Sequence, residues 1–184
     1  MVIFEVETKA RVEDVNKLKD RVRKIANFSK KEIKKDSYFG LMEGNYPKKK
    51  FRIRHDGEKK IINFKKSMRE YGDKFIVVKE EFEFRIKNPK PFLTFMMELG
   101  FKQWIKKTKE SETYLYKKDK RLAIEINKIK HLGAFIEIEY LAKKNEIKKA
   151  IKEIKGVLKE LKIKPNHIDN TGYTKMLWKK GIKN

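Results

Sequence analysis

The stretch Val2-Ile3-Phe4-Glu5-Val6-Glu7-Thr8-Lys9-Ala10-Arg11 carries two chemistries in alternation. Val2, Phe4, Val6, Thr8 and Ala10 fall on one side, and Ile3, Glu5, Glu7, Lys9 and Arg11 on the other. A two-residue period is that of a β-strand, so this is a strand with one charged face. The pattern returns along the chain. Phe51 and Ile53 alternate with Arg52 and Arg54, and Ile61, Asn63 and Lys65 are out of phase with Ile62 and Phe64. Over 75–86, Lys79, Glu81, Glu83 and Arg85 alternate with Val78, Phe82, Phe84 and Ile86. In the second half, Lys107 and Lys109 share a face over 103–117, Glu125 and Asn127 over 121–128, and Glu137 and Glu139 over 134–141. With a short strand over 36–41 and an Asp56-Gly57 hairpin signal, about eight strands are expected.

Between the strands the period changes to that of amphipathic helices. Val12, Val15, Leu18, Val22 and Ile25 predict a helix over 12–28. Phe92, Leu93, Phe95, Met96 and Leu99 predict one over 90–100, closed by Gly100. Ile147, Ile151, Ile154, Leu158 and Leu161 predict another over 145–161, and a last short helix is expected near 173–180. The order of charged strand, helix and strands recurs in both parts of the chain. Residues 1–184 are therefore expected to form one domain of two pseudo-repeated halves, about 1–78 and 79–172.

A charged strand face is ordinarily the wet side of an antiparallel sheet. Here the apolar faces are rich in Ile, Val and Phe, and helices are available to cover them. The expected fold is α+β: an eight-stranded antiparallel β-barrel, or tunnel, with helices packed outside and the charged faces turned into a lumen of small-ligand size. A transmembrane barrel shares that inversion, but the helices between strands and the run Lys48-Lys49-Lys50 oppose it. No apolar run of about 18 residues exists, and Glu5, Glu7 and Lys9 exclude a signal-peptide core at the start, so a cytoplasmic protein is expected.

The chain has 184 residues, with 49 Lys+Arg against 26 Asp+Glu and a formal net charge of +23. It has no cysteine, which removes disulfides, thiolate metal sites and cysteine nucleophiles together. His55, His131 and His167 lack the spacing of a metal site. Glu5 and Glu7 on one strand and Glu137 and Glu139 on another would instead converge in the lumen. Carboxylates crowded without a cation raise one another's pKa, so a hard divalent ion, Mg²⁺ or Mn²⁺, is their natural partner. Around them stand Lys9, Arg52, Arg54, Lys65, Lys79, Arg85, Lys107 and Lys109, and forked guanidiniums suit phosphate oxygens. Basic groups and acid-held metal around one cavity describe a polyphosphate site.

The same residues carry a resemblance. Glu5-Val-Glu7-Thr-Lys9 resembles the E-x-E-x-K signature of the CYTH family, the triphosphate tunnel metalloenzymes, which include class IV adenylyl cyclases and thiamine and inorganic triphosphatases. Asp36-Ser-Tyr38-Phe39 is similar to the family's D-x-Y-F segment, Arg52-Ile-Arg54 to its R-x-R strand, and Lys65 to the lysine on the next strand. Lys79-Glu-Glu81-Phe-Glu83 and Lys107-Thr-Lys109 fall at its other charged strands, and Leu132-Gly-Ala-Phe-Ile-Glu137-Ile-Glu139 resembles its L-G-x-F-x-E-I-E ending. The resemblance implies metal ligation by Glu5, Glu7, Glu137 and Glu139, and triphosphate binding by Lys9, Arg52, Arg54, Lys65, Lys107 and Lys109. Glu5, Glu7, Lys9 and Lys65 would be the catalytic set. Asn127 stands where the family has Asp, with Glu125 two residues away and in phase, and Lys109 stands where Arg is usual. Lys175 is a candidate to close the tunnel.

The expected activity is metal-dependent chemistry on a triphosphate-containing substrate: water attack releasing phosphate, or attack by a ribose hydroxyl releasing pyrophosphate and a cyclic nucleotide. The alternative is a module that binds RNA or polyphosphate without turnover, which requires a continuous external basic face with exposed aromatics. Inward charges interleaved with carboxylates argue against nucleic acid as the partner. Outer barrel surface left bare by the helices, together with the resemblance, points to a homodimer.

Overall fold

The computed structural model describes residues 3–42, 44–56 and 59–182. Eight strands close into a barrel: β1 (Phe4–Arg11), β2 (Ala26–Leu41), β3 (Lys50–Asp56), β4 (Lys59–Ser67), β5 (Val77–Ile86), β6 (Phe101–Tyr116), β7 (Leu122–Ile129) and β8 (Gly133–Ala142). Helices are α1 (Val15–Ile25), α2 (Lys90–Glu98), α3 (Ile147–Glu160) and α4 (Tyr173–Lys179). Around the ring the order is β1-β5-β4-β3-β2-β6-β7-β8, with β8 returning to β1, and every pairing is antiparallel. Exchanging β1–β4 for β5–β8 regenerates the same ring, so the recurrence seen in the sequence is a symmetry of the strand order. The Asp56-Gly57 hairpin tip lies partly outside the described residues, as does Val2.

The strand phases set what faces out. Phe4, Val6 and Ala10 of β1, Leu122, Ile124 and Ile126 of β7, and Ile136, Ile138 and Tyr140 of β8 are buried against Leu18 and Val22 of α1 and Ile147, Ala150, Ile154 and Val157 of α3. A second cluster joins Trp104 and Ile105 of β6, and Phe135 in the inward phase of Glu137, to Tyr173, Met176 and Leu177 of α4. A third places Phe39, Phe51, Ile53 and Ile62 beneath Phe92, Leu93 and Met96 of α2. Closure of the barrel then leaves the opposite phase inside.

One boundary departs from the expected pattern. The helix expected over 12–28 is α1, Val15–Ile25, and the strand expected from residue 36 begins ten residues earlier, at Ala26. Asp14 caps α1 by accepting a hydrogen bond from Lys17 N at 2.9 Å. At the other end Ala26 is already extended, because residues 26–41 pair along the whole of β6. The stretch Asn27–Lys35 has no clean alternation, so its conformation is imposed by its partner strand. Gly100, which ends α2, has φ +87°, the left-handed geometry that favours glycine after a helix.

Ile154 is fully buried where α3 presses on the β1–β8 wall. Ile154→Ala is expected to cost about 2–4 kcal/mol, measured by urea denaturation, with the barrel's far-UV circular dichroism retained at low urea.

Candidate active site

The inward phase of the strands surrounds a cavity of about 620 Å³. Eleven basic side chains line it, Lys9, Lys34, Lys50, Arg52, Arg54, Lys65, Arg69, Lys79, Lys107, Lys109 and Lys175, with seven glutamates, Glu5, Glu7, Glu81, Glu83, Glu125, Glu137 and Glu139. The two signs are unevenly shared among the strands, with Lys9 on β1 among the acids and both signs on β5 as Lys79, Glu81 and Glu83. Glu5, Glu7, Glu137, Glu139 and Glu125 stand on the adjacent strands β1, β8 and β7, while β2, β3, β4 and β6 contribute Lys34, Arg52, Arg54, Lys65, Lys107 and Lys109.

Register brings three carboxylates together. Glu7 lies directly across from Glu139 in the β1–β8 pairing, and Glu5 is in phase with Glu7. Glu5, Glu7 and Glu139 each offer an oxygen within 4.8 Å of the others. Lys65 Nζ donates to Glu5 Oε1 at 2.5 Å, and Lys79 Nζ pairs with Glu7. Among the described residues Glu139 has no ion-pair partner. Three acids thus share two ammonium groups. Burial, and after it the Glu5 carboxylate, push the Glu139 carboxyl well above its ordinary value, whereas Lys65 and Lys79 overcome burial and hold Glu5 below its own. Carboxylates crowded so closely that one is pushed toward its neutral form have the chemistry of a cation site, and all three oxygen donors suit a hard divalent ion.

Glu137 stands in a different environment. It accepts from Lys109 Nζ at 2.9 Å and from Asn127 Nδ2 at 2.7 Å. Asn127 in turn accepts from Ser111 Oγ at 2.7 Å. Among the described residues the acidic cluster therefore comprises Glu5, Glu7 and Glu139, with Glu137 held aside by an ammonium and an amide. Glu125 is tied to Lys34 at 2.8 Å and to Lys109 at 2.5 Å, and these lysines outweigh burial to keep it well below the carboxylate range. It does not join the cluster.

The basic wall is organised by Asp36, whose side chain has no solvent exposure. It accepts from Arg54 Nε at 2.8 Å, and Lys107 Nζ lies 3.1 Å and Arg52 3.6 Å away. Burial would raise this carboxyl, but Lys107, Arg54 and Arg52 hold it far below its usual range. At one end the C-terminal segment closes the lumen. Lys9 N and O bond to Asn170 and Asp169, Lys9 Nζ donates to Thr171 O at 2.5 Å, and the ammonium sits 4.2 Å from the Tyr173 ring. Burial holds the Lys9 ammonium below its ordinary value, and no carboxylate lies within ion-pair distance of it among the described residues.

A CYTH domain model matches residues 4–173 of the chain. The chain belongs to the CYTH family. Among solved structures, PH1819 from Pyrococcus horikoshii OT3 is 26% identical over 96% of this chain and 99% of its own, with a TM-score of 0.75. PH1012 from the same organism is 23% identical over 92% and 96%, with a TM-score of 0.73. HpAC1 from Hippeastrum, described as having a dominant triphosphatase activity, is 16% identical over 96% of each chain, with a TM-score of 0.65. No curated protein matches.

Within this CYTH tunnel the structure brings Glu5, Glu7, Lys9, Arg52, Arg54, Lys65, Lys79, Lys107, Lys109, Glu137 and Glu139 to one cavity, together with Lys175. Arg85 is not among the lining residues. β1 pairs with β5 only through Val77–Glu80, so beyond Glu81 the inner side of β5 opens to solvent at the mouth, and Arg85 is exposed there. Arg11 likewise turns out to solvent, 3.5 Å from Asp169. Lys34, Lys50 and Arg69 are cavity cations that strand phase did not reveal. Lys34 lies in the half of β2 without alternation, Lys50 at the first residue of β3, and Arg69 in a 3₁₀ turn after β4.

Asp36→Asn leaves buried cations uncompensated and is expected to cost about 3–5 kcal/mol at pH 7 in urea denaturation. The folded-state carboxyl is depressed, so its contribution is complete above the unfolded value of 3.8 and lost as pH falls below it. The gap between wild type and Asp36→Asn should stay constant above about pH 4 and narrow only below that.

Proposed function

We propose that this CYTH protein is a divalent-metal-dependent enzyme that hydrolyses a triphosphate-containing substrate held in the tunnel, with Mg²⁺ or Mn²⁺ as the ion. The observation that carries this reading is one cavity that holds both an under-matched carboxylate cluster and a surplus of lysine and arginine. Glu5, Glu7 and Glu139 would hold the ion. When bound, it polarises a phosphoryl group and positions water. Arg52, Arg54, Lys65, Lys79, Lys107 and Lys109 would bind the non-bridging oxygens and stabilise charge in the transition state. Lys9, lowered by burial while Glu7 and Glu137 oppose the shift, is the residue we assign to proton transfer with the attacking water. The triphosphatase activity of HpAC1, on the same fold, supports hydrolysis over ring closure. The inward placement of the cations among carboxylates supports an enclosed polyphosphate site over an external nucleic-acid face.

The existing ion pairs couple the two ligands. A polyanion drawing Lys65 and Lys79 to itself leaves Glu5 and Glu7 without partners, and a cation drawing those carboxylates leaves the lysines free, so each ligand favours the other.

Incubation with Mg²⁺ or Mn²⁺ and ATP, thiamine triphosphate or tripolyphosphate, with product analysis, is expected to release phosphate; cyclic AMP and pyrophosphate from ATP would assign a cyclase instead. No turnover of any triphosphate with either ion would overturn the enzyme reading. Glu7→Gln should lower turnover at least about 100-fold with the fold intact by circular dichroism. Lys79→Met should also lose turnover, yet bind Mn²⁺ more tightly than wild type in calorimetry without substrate, because the competing ammonium is gone.

A further inference from the structure

The outer wall beneath α2 is filled less completely than its symmetry mate. Exchange of the halves carries β2–β3 under α2 onto β6–β7 under α1. There α1 buries Leu18 and Val22 against Tyr114, Tyr116, Ile124 and Ile126. α2 has 9 residues against the 11 of α1, none of them buried, and leans chiefly on β6. Beside it lies a groove of about 510 Å³. Register orders this groove along β2. On the outward phase Lys60, His55, Lys35 and Thr108 are successive Cα partners across β4, β3, β2 and β6. The next row is Ile53, Ser37 and Lys106, and the one after it Phe39 and Gln103. Pro89 and Leu93, at the start of α2, line the facing side. One end is thus cationic and the other apolar. Phe39 and Ile53 are 4% and 2% exposed, whereas Lys35, His55 and Lys106 are exposed. Partial burial, then Lys60 and Lys106, hold the His55 imidazole below its ordinary value. The carboxylate in the lining is Asp36, whose side chain has no solvent exposure and is engaged by Arg54 and Lys107 inside the barrel.

We propose that this groove is a second binding site, outside the tunnel, for a small amphipathic anion: an apolar chain ending in a carboxylate. The carboxylate would lie at Lys35, His55 and Lys106, with the hydroxyls of Ser37 and Thr108 beside it, and the chain over Ile53, Phe39 and Leu93. Burial of the chain supplies affinity, and the cations fix which way round it lies, because charge-assisted bonds are available at one end only. The strand from Lys35 to Phe39 spans about 13 Å, which suits a saturated chain of about eight to ten carbons. An inorganic anion would leave Phe39 and Ile53 uncovered. A flat membrane surface would not reach them, since they lie at the floor of the groove and are nearly inaccessible.

The site is distinct from the tunnel: among the described residues only Lys107 borders both cavities, and none of Lys35, Phe39, Ile53, His55, Leu93 and Lys106 lines the lumen. Calorimetry of the full chain with octanoate is expected to show one site per chain with a Kd below about 1 mM. Octanol, which lacks the charge, and acetate, which lacks the chain, should each bind at least about tenfold more weakly. Methyl NMR should place the largest shifts at Ile53 and Leu93. Lys35→Glu with Lys106→Glu, both on exposed side chains, should weaken octanoate at least about tenfold with an unchanged circular dichroism spectrum, and Leu93→Ser should weaken it from the apolar side. Tripolyphosphate should leave octanoate bound. Its displacement by tripolyphosphate would put octanoate in the lumen and overturn the proposal. Equal binding of octanoate and octanol also overturns it, as does the absence of binding below about 1 mM, or binding indifferent to both sets of variants. A chain that ignores free octanoate but sediments with anionic vesicles through Lys35 and Lys106 overturns it too, assigning these cations to a membrane surface.

Discussion

A charge enclosed by a closed barrel must find a counter-charge, water or a ligand, because the interior repays none of the lost hydration by itself. That constraint governs this molecule, since the strand phase that supplies helices with an apolar outer wall sends every alternate residue inward. Most of the enclosed acids are matched by the fold. Asp36 has Arg54, Lys107 and Arg52, and Glu125 has Lys34 and Lys109. Glu5, Glu7 and Glu139 are the exception, with two lysines among three carboxylates. The place where the fold fails to balance its own charge is where a ligand has most to offer.

Much of this was legible because alternation in a closed barrel has only two outcomes for a side chain. Glu5, Glu7, Lys9, Arg52, Arg54, Lys65, Lys107 and Lys109 could be placed by phase alone, and they share the cavity. Phase does not say where a neighbouring strand stops. Arg85 keeps the inward phase but lies past the end of β1, where the wall opens. Nor does phase say which residues stand opposite one another, so the seating of Glu137 against Asn127 and Lys109, away from Glu139, waits on the β7–β8 and β6–β7 registers. Lys34 was hidden for a different reason: Asn27–Lys35 has no intrinsic strand pattern and is extended because β6 is there to pair with it.

The scaffold is symmetric in strand order and asymmetric in decoration. Exchange of the halves relates β4 to β8, yet β4 presents Asn63 and Lys65 inward where β8 presents Glu137 and Glu139. Substituting sign while keeping phase leaves the packing of the outer wall unaffected, since Ile62, Ile136 and Ile138 all remain buried. A repeated barrel can in this way set an acidic seam against a basic wall, a polarity that an array with identical halves could not have.

The net charge takes on a specific meaning against this background. Of the +23, the cavity lining holds +4, from eleven basic and seven acidic groups, and +19 lies elsewhere on the chain. The inner surplus acts at contact distance, in a cavity where low dielectric walls weaken screening. The outer charge acts over a Debye length of about 8 Å at physiological ionic strength and raises the local concentration of any polyanion without selecting among them. On the proposed function selection comes from the lumen, where a polyanion would have to replace Glu5 and Glu7 as the partner of Lys65 and Lys79. An anion that arrives without a cation to take up those carboxylates meets the exterior field but not a balanced site.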